Sequence, residues 1–201
     1  LEGTEREVQT IDTLLRNKQI PVALMSGMAG TEESFKQLSG QSITLLHVAT
    51  HGFYSPLTGH YTAQRSFEEQ ALSRSGLFLS GAAASLNMKK IPEDIEDGIL
   101  TAKELSKLDL SNLNLAILSA CQTGLGEIVG DGVFGLQRGF KKAGAQTLLM
   151  SLWKVDDTAT QLLMAEFYKN LVSGQNKRAA FLNAQKYLRS YQNGIYDKPE
   201  Y

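Results

Sequence analysis

The run ITLLHVATHG, residues 43–52, decides how this chain is read. Ile43, Leu45, Leu46, Val48 and Ala49 place apolar side chains at odd and even positions alike, so a strand here would be covered on both faces, as central strands of parallel sheets are. The run then stops on His51 and Gly52, a titratable ring followed by a residue with no side chain. In open parallel sheets the crevice outside the carboxyl ends of the strands is where ligands bind, so a polar residue there merits a chemical reading.

Working outward, residues 115–120 (LAILSA) form a second run of the same kind, ending in Cys121 and followed by Gln122, Thr123 and Gly124. Runs 21–25 (PVALM) and 145–152 (AQTLLMSL) share its character, and 76–80 (GLFLS) reads as a fifth strand. Helical periods lie between them at 4–16, 31–38, 101–107 and 132–143, with Thr31 and Ser34 in positions suited to capping. Two longer helices follow at 156–172 and 176–191, whose stripes Leu163, Phe167, Leu171 and Leu182, Leu188 read as core faces. Strand-length runs alternating with helical periods predict an α/β fold with a mostly parallel central sheet and helices on both faces. The irregular stretches 53–75 and 87–98 read as loops on that domain.

The composition narrows the function. A chain of 201 residues with 42% hydrophobic content supports one sizeable core, and hence one domain. Twenty basic against twenty-one acidic residues leave a net charge of -1 and no basic field to gather phosphates, which argues against nucleic acid as a partner. A single cysteine makes no internal disulfide, and no long apolar run reads as a membrane span, so a cytoplasmic protein is expected. Leu1 in place of a methionine suggests a fragment of a longer polypeptide.

If strands 43–50 and 115–120 are parallel neighbours, His51 and Cys121 emerge at the same sheet edge. A free thiol is only partly ionised at neutral pH, and a nearby imidazole takes its proton to give a nucleophilic thiolate. The plainer readings are a buried cysteine acting as a small hydrophobe and a glycine that merely ends a strand. His47 falls inside the apolar run and reads as a core residue, and His60 falls in the irregular loop. Acyl transfer also needs backbone donors for the oxyanion, for which the amides of Gly52 and Cys121 are candidates.

Residues 124–130 (GLGEIVG) superficially match a dinucleotide-binding loop. Glu127 and Asp131, however, bring negative charge where a pyrophosphate would sit, and Asp131 is better suited to capping the next helix. With one cysteine and three scattered histidines, no zinc site is expected, and no cofactor or metal is required.

Taken together, HVATHG (47–52), LSACQTG (118–124), GDGVFGLQRGFKKAGAQ (130–146) and SLWKVDDTAT (151–160) resemble the CHAT domain family, and LEGTEREV, DGILTAKEL and FYKNLVSG extend the resemblance across the chain. The resemblance implies a caspase-like fold related to separases, a catalytic dyad at His51 and Cys121, and tetratricopeptide or other sensor modules as regulatory partners. It implies a cysteine endopeptidase acting on a protein or peptide substrate; the alternatives are a non-catalytic interaction module on the same fold and, less favoured, a nucleotide-binding domain. Ser119 occupies a position used in the specificity pocket of caspase relatives. Asp157 matches an acidic residue that reads a basic side chain in separases, so cleavage after Arg or Lys is expected, with Asp131 and Asp156 adding negative charge. Arg65 and Arg74 are then conceivable self-processing sites, and the resemblance leads one to expect that the family's last strand is missing from this chain.

Overall fold

The computed structural model describes residues 2–55, 67–87, 96–119, 127–129, 132–151 and 156–197. In chain order the elements are α1 (Glu2–Asn17), α2 (Glu32–Lys36), β1 (Leu45–Ala49), β2 (His51–Tyr54), α3 (Phe67–Leu72), β3 (Ser75–Phe78), α4 (Ala82–Asn87), β4 (Ile99–Thr101) and α5 (Ala102–Leu105). They continue as β5 (Leu115–Ser119), β6 (Glu127–Val129), β7 (Gly132–Phe134), α6 (Leu136–Lys142), β8 (Leu148–Met150), α7 (Asp157–Val172) and α8 (Lys177–Ser190). The chain divides into two compact units, Met25–Lys154 and the terminal unit of Leu1–Leu24 with Val155–Tyr201.

In the unit Met25–Lys154, β1, β5 and β8 form a parallel sheet in the order β1-β5-β8. Leu115, Ala116, Ile117 and Leu118 of the central strand are all buried, the burial on both faces that its unbroken apolar run implies. Ala116 and Leu118 share a core with Phe35 of α2, Leu105 of α5 and Phe140 of α6. The second sheet, β2-β3-β4, is antiparallel. Leu77 and Leu100, paired across it, point into the same core, so the two sheets are held by one body of apolar side chains.

A charged cluster pins the start of β4. Thr31 caps α2, and Glu32 beside it has no exposed side-chain surface. Glu32 accepts the Gly98 N–H at 2.9 Å and pairs with Lys36 at 2.7 Å, while Lys36 also meets Glu96 at 2.8 Å and Glu104 at 3.5 Å. Gly98 has φ +75, and a Cβ there would lie 2.4 Å from the Ala82 nitrogen, so only glycine fits this approach. In the terminal unit α1 packs on α7 and α7 on α8 around Ile11, Phe167, Tyr168, Ala180 and Ala184.

Several sequence expectations change. The mostly parallel sheet is three parallel strands plus a separate antiparallel sheet, because the chain turns after one residue from β1 into β2 and the expected strand 76–80 pairs antiparallel. Segment 21–25 forms no strand: Pro21 lacks a ladder donor, and Leu24 and Met25 lie exposed at 40% and 45%. The stretch 53–75 contains part of β2 and all of α3, and α4 occupies 82–87, just before the second expected loop. Leu182 is exposed, since the buried face of α8 is Ala180, Ala184 and Leu188. Residues 127–129 and 132–134 pair as a hairpin, and α6 starts after Gly135, so neither a dinucleotide loop opening directly into a helix nor a cap at Asp131 describes this segment.

Candidate active site

The register of β1 on β5 sets the geometry. Leu45 pairs with Leu115 and each residue follows in step to Ala49 with Ser119, so both strands end at the same level on the same side of the sheet. Adjacent strands lie about 4.8 Å apart. From Ala49 the chain reaches His51 in two residues, and from Ser119 it reaches Cys121 in two. The expected parallel adjacency of the two runs therefore holds. Cys121 itself, like Asp131, His60 and Arg65, lies outside the described residues.

His51 opens β2 and is exposed. It pairs with Phe78 of β3, followed by Gly52 with Leu77 and Phe53 with Gly76. Directly paired residues share a face, so His51, Phe53, Gly76 and Phe78 lie on one side of the ribbon while Leu77 lies on the core side. The Phe53 and Phe78 rings pack at 4.9 Å. Gly76 permits this, because a Cβ there would sit 2.7 Å from the Phe53 ring and 2.6 Å from the Leu100 oxygen. The result is an apolar floor on the face that carries the imidazole.

The ladder also fixes where the Gly52 amide points. Ser55 N–H bonds the Arg74 carbonyl at 2.8 Å, and hydrogen-bonded pairs alternate along an antiparallel ladder. His51 and Phe78 are then a bonded pair in the same phase, whereas the Gly52 N–H is directed away from β3, toward the outer edge of β2. The Gly52 amide is therefore not used by the β2–β3 ladder.

His47, by contrast, is half-buried within β1 opposite Ile117, less covered than the core residue its place in the apolar run implies, because β1 is the outer strand of the order β1-β5-β8. Ser119 is half-buried at the end of β5. Asp156 caps α7, its carboxylate accepting the Ala159 N–H at 2.8 Å, and Asp157 is the first residue of that helix. Arg74 is half-buried in the turn before β3, and with its carbonyl bonded to Ser55 it is poorly placed for cleavage. Sequence reading missed the Phe53–Phe78 floor, whose only signal was the glycine at 76 inside a strand run.

Among the described residues, Glu32, Glu96 and Glu104 are the one acidic group close enough to share an ion, and Lys36 already stands among their oxygens. In the terminal unit an open groove of about 730 Å³ runs along α1 and α7, lined by helix-surface residues such as Arg6, Thr10, Lys18 and Gln161. None of its lining residues is a histidine, cysteine or carboxylate.

No described helix is long and apolar enough to cross a membrane. The chain is 37% identical over 92 residues to mouse (Mus musculus) tetratricopeptide repeat protein 28 and 34% identical over 96 residues to the human (Homo sapiens) protein of that name. These matches cover 46% and 48% of the chain but only 4% of each relative's length. The model of the CHAT domain family matches residues 1–201. With strand ends that lead to a histidine and a cysteine, and a family match over its whole length, the chain belongs to the CHAT domain family, which is related to the caspases.

Proposed function

We propose that this domain is a cysteine endopeptidase of caspase-like fold with His51 and Cys121 as its dyad. The observation that carries the reading is the in-register pairing of β1 with β5, which ends both strands at one level two residues short of the histidine and the cysteine. In this mechanism His51 takes the Cys121 proton and the thiolate attacks the scissile carbonyl. The Gly52 and Cys121 amides hold the oxyanion; the C–N bond breaks, and His51 returns the proton to the leaving amine. Water, deprotonated by His51, then hydrolyses the thioester.

A preference for Arg or Lys rests on the resemblance of residues 151–160 to separases. Asp156 is engaged as a helix cap, which leaves Asp157 as the carboxylate to test in a peptide library with Asp157→Asn. The similar proteins are named for tetratricopeptide repeats, which supports a repeat-containing region as regulator of this domain.

The decisive experiment is labelling with a peptidyl electrophile, with Cys121→Ala and His51→Ala as controls and the natural flanking regions present. Labelling and substrate cleavage in the wild type, lost in both variants, are expected. Labelling that His51→Ala leaves unchanged removes the dyad, and binding of a partner without labelling or cleavage marks an interaction module instead.

A further inference from the structure

Thr50 is the single residue between β1 of the parallel sheet and β2 of the antiparallel one. Its hydroxyl donates to the Phe78 carbonyl at 2.5 Å. That carbonyl has two lone pairs, and the ladder phase gives one of them to the His51 N–H. The bend and the histidine that follows it are thus held on one oxygen. Phe78 is in turn fixed by its packing on Phe53 over Gly76.

The His51 side chain is exposed, so the backbone beneath it largely sets where the imidazole stands. The soft degrees of freedom of that backbone are the two dihedrals of the joint residue. Threonine suits this role because its branched Cβ stiffens χ1, so a hydroxyl bonded at a fixed place also fixes the backbone that carries it.

We infer that Thr50 is a positioning residue: its bond to the Phe78 carbonyl sets the His51 imidazole in the place from which it reaches the cysteine beyond β5. This rests on the dyad reading above. Misplacement of a reacting group by about 1 Å costs up to about 100-fold, so a loosened joint registers in the chemistry before it registers in the fold.

Cys121 is the only cysteine, so its alkylation by iodoacetamide, in which the Sγ–C bond forms and iodide leaves, reads its thiolate without any substrate. The rate is measured from about pH 5 to about pH 9, spanning the ordinary thiol value near 8.5, for wild type, Thr50→Val, Thr50→Ser and His51→Ala. The wild type is expected to react well below that value, and His51→Ala to abolish this acid limb. Thr50→Val, which keeps the shape and loses the donor, is expected to slow the acid limb roughly tenfold with the alkaline plateau and thermal melt unchanged, while Thr50→Ser stays within about twofold.

An acid limb that Thr50→Val leaves intact overturns the role of Thr50 and leaves the dyad standing. A wild type without an acid limb overturns the dyad, and the inference with it. Should the valine variant not fold, Thr50→Ala replaces it, and equal acid limbs in the alanine and serine variants overturn the inference.

Discussion

Lys36 stands among three carboxylates, and the energetics of that arrangement follow from how unequally the groups are buried. Burial is the larger influence on Glu32 and raises its pKa, the hydrogen bond and charge of Lys36 opposing it. Glu32 therefore contributes most when protonated, and its contribution falls as pH rises through its raised folded value. For Glu104 burial acts upward, but bonds from the Thr101 side chain and backbone, with Lys36, outweigh it and lower the pKa. Its stabilisation is complete above the ordinary 4.5 and is lost as pH falls through the lowered folded value. Burial alone would lower Lys36; the bonds from Glu32 and Glu96 and the charges of Glu32 and Glu104 raise it instead, so its contribution is complete below 10.5 and is lost as pH rises through the folded value. Lys36→Met strands a carboxylate with no exposed surface, and breaking such a pair costs about 3–5 kcal/mol. Denaturant melts are expected to show that loss near neutral pH, a smaller loss in acid as Glu32 protonates, and partial recovery in Glu32→Gln/Lys36→Met. A loss under about 1 kcal/mol at both pH values would mean the cluster behaves as a surface pair. None of this was legible in sequence, because Glu96 and Glu104 reach Lys36 only through the path of β4. The end of the apolar run before His51 was legible because it announces itself locally, whereas the turn that makes His51 the first residue of β2 was not.

Elements differ in how openly the sequence declares them. β5 is unmistakable, because its unbroken apolar run matches burial on both faces. The helices whose caps are polar side chains, Thr31 before α2, Thr101 before α5 and Asn176 before α8, start within a residue or two of where capping logic puts them. The short strands β2, β4, β6 and β7 were hidden, since three or four residues carry too little period to separate them from loop. α8 is the instructive case. A leucine stripe suggested that Leu182 and Leu188 face the core, yet Leu182 is 46% exposed and the buried row is Ala180, Ala184 and Leu188, spaced by four. Small residues in that row let α8 approach α7 closely, with Phe181 reaching Phe167 edge-on at 5.9 Å. Contacts made through alanines leave a weak hydropathy signal, so the eye goes to the wrong leucine. Ala184→Leu is then expected to destabilise the domain by about 1–3 kcal/mol through overpacking, whereas Leu182→Ala is expected to stay within about 0.5 kcal/mol, as a surface change does. Paired thermal melts check this, and the reverse ranking would place the leucine stripe inward after all.

At the scale of the whole molecule, one family match spans two compact units. The unit Met25–Lys154 is continuous in sequence and holds all three described sheets, so the strand ends, the Phe53–Phe78 floor and the joint at Thr50 all belong to it. The terminal unit is assembled from the two ends of the chain, a closure that sequence period cannot reveal because each helix there reads as an ordinary amphipathic segment. Its energetics are visible only in the packing. Phe167 and Tyr168 are almost fully buried, and burial, with the charge of Glu7 on α1 adding to it, raises the Tyr168 phenol above its usual range. The Gln161 side chain of α7 donates to the Gly3 carbonyl of α1 at 3.1 Å, tying the first turn of the chain to a helix far along it. α1 is therefore a tertiary element whose stability is drawn from α7 more than from its own propensity. Phe167→Ala should cost about 3–5 kcal/mol and act on α1, α7 and α8 as one cooperative unit. Hydrogen exchange read by mass spectrometry is expected to show amides of α1 losing protection together with those of α7 and α8. If α1 keeps its protection while α8 opens, the helix is held by something other than this core, and the closure of the chain ends is not what stabilises it.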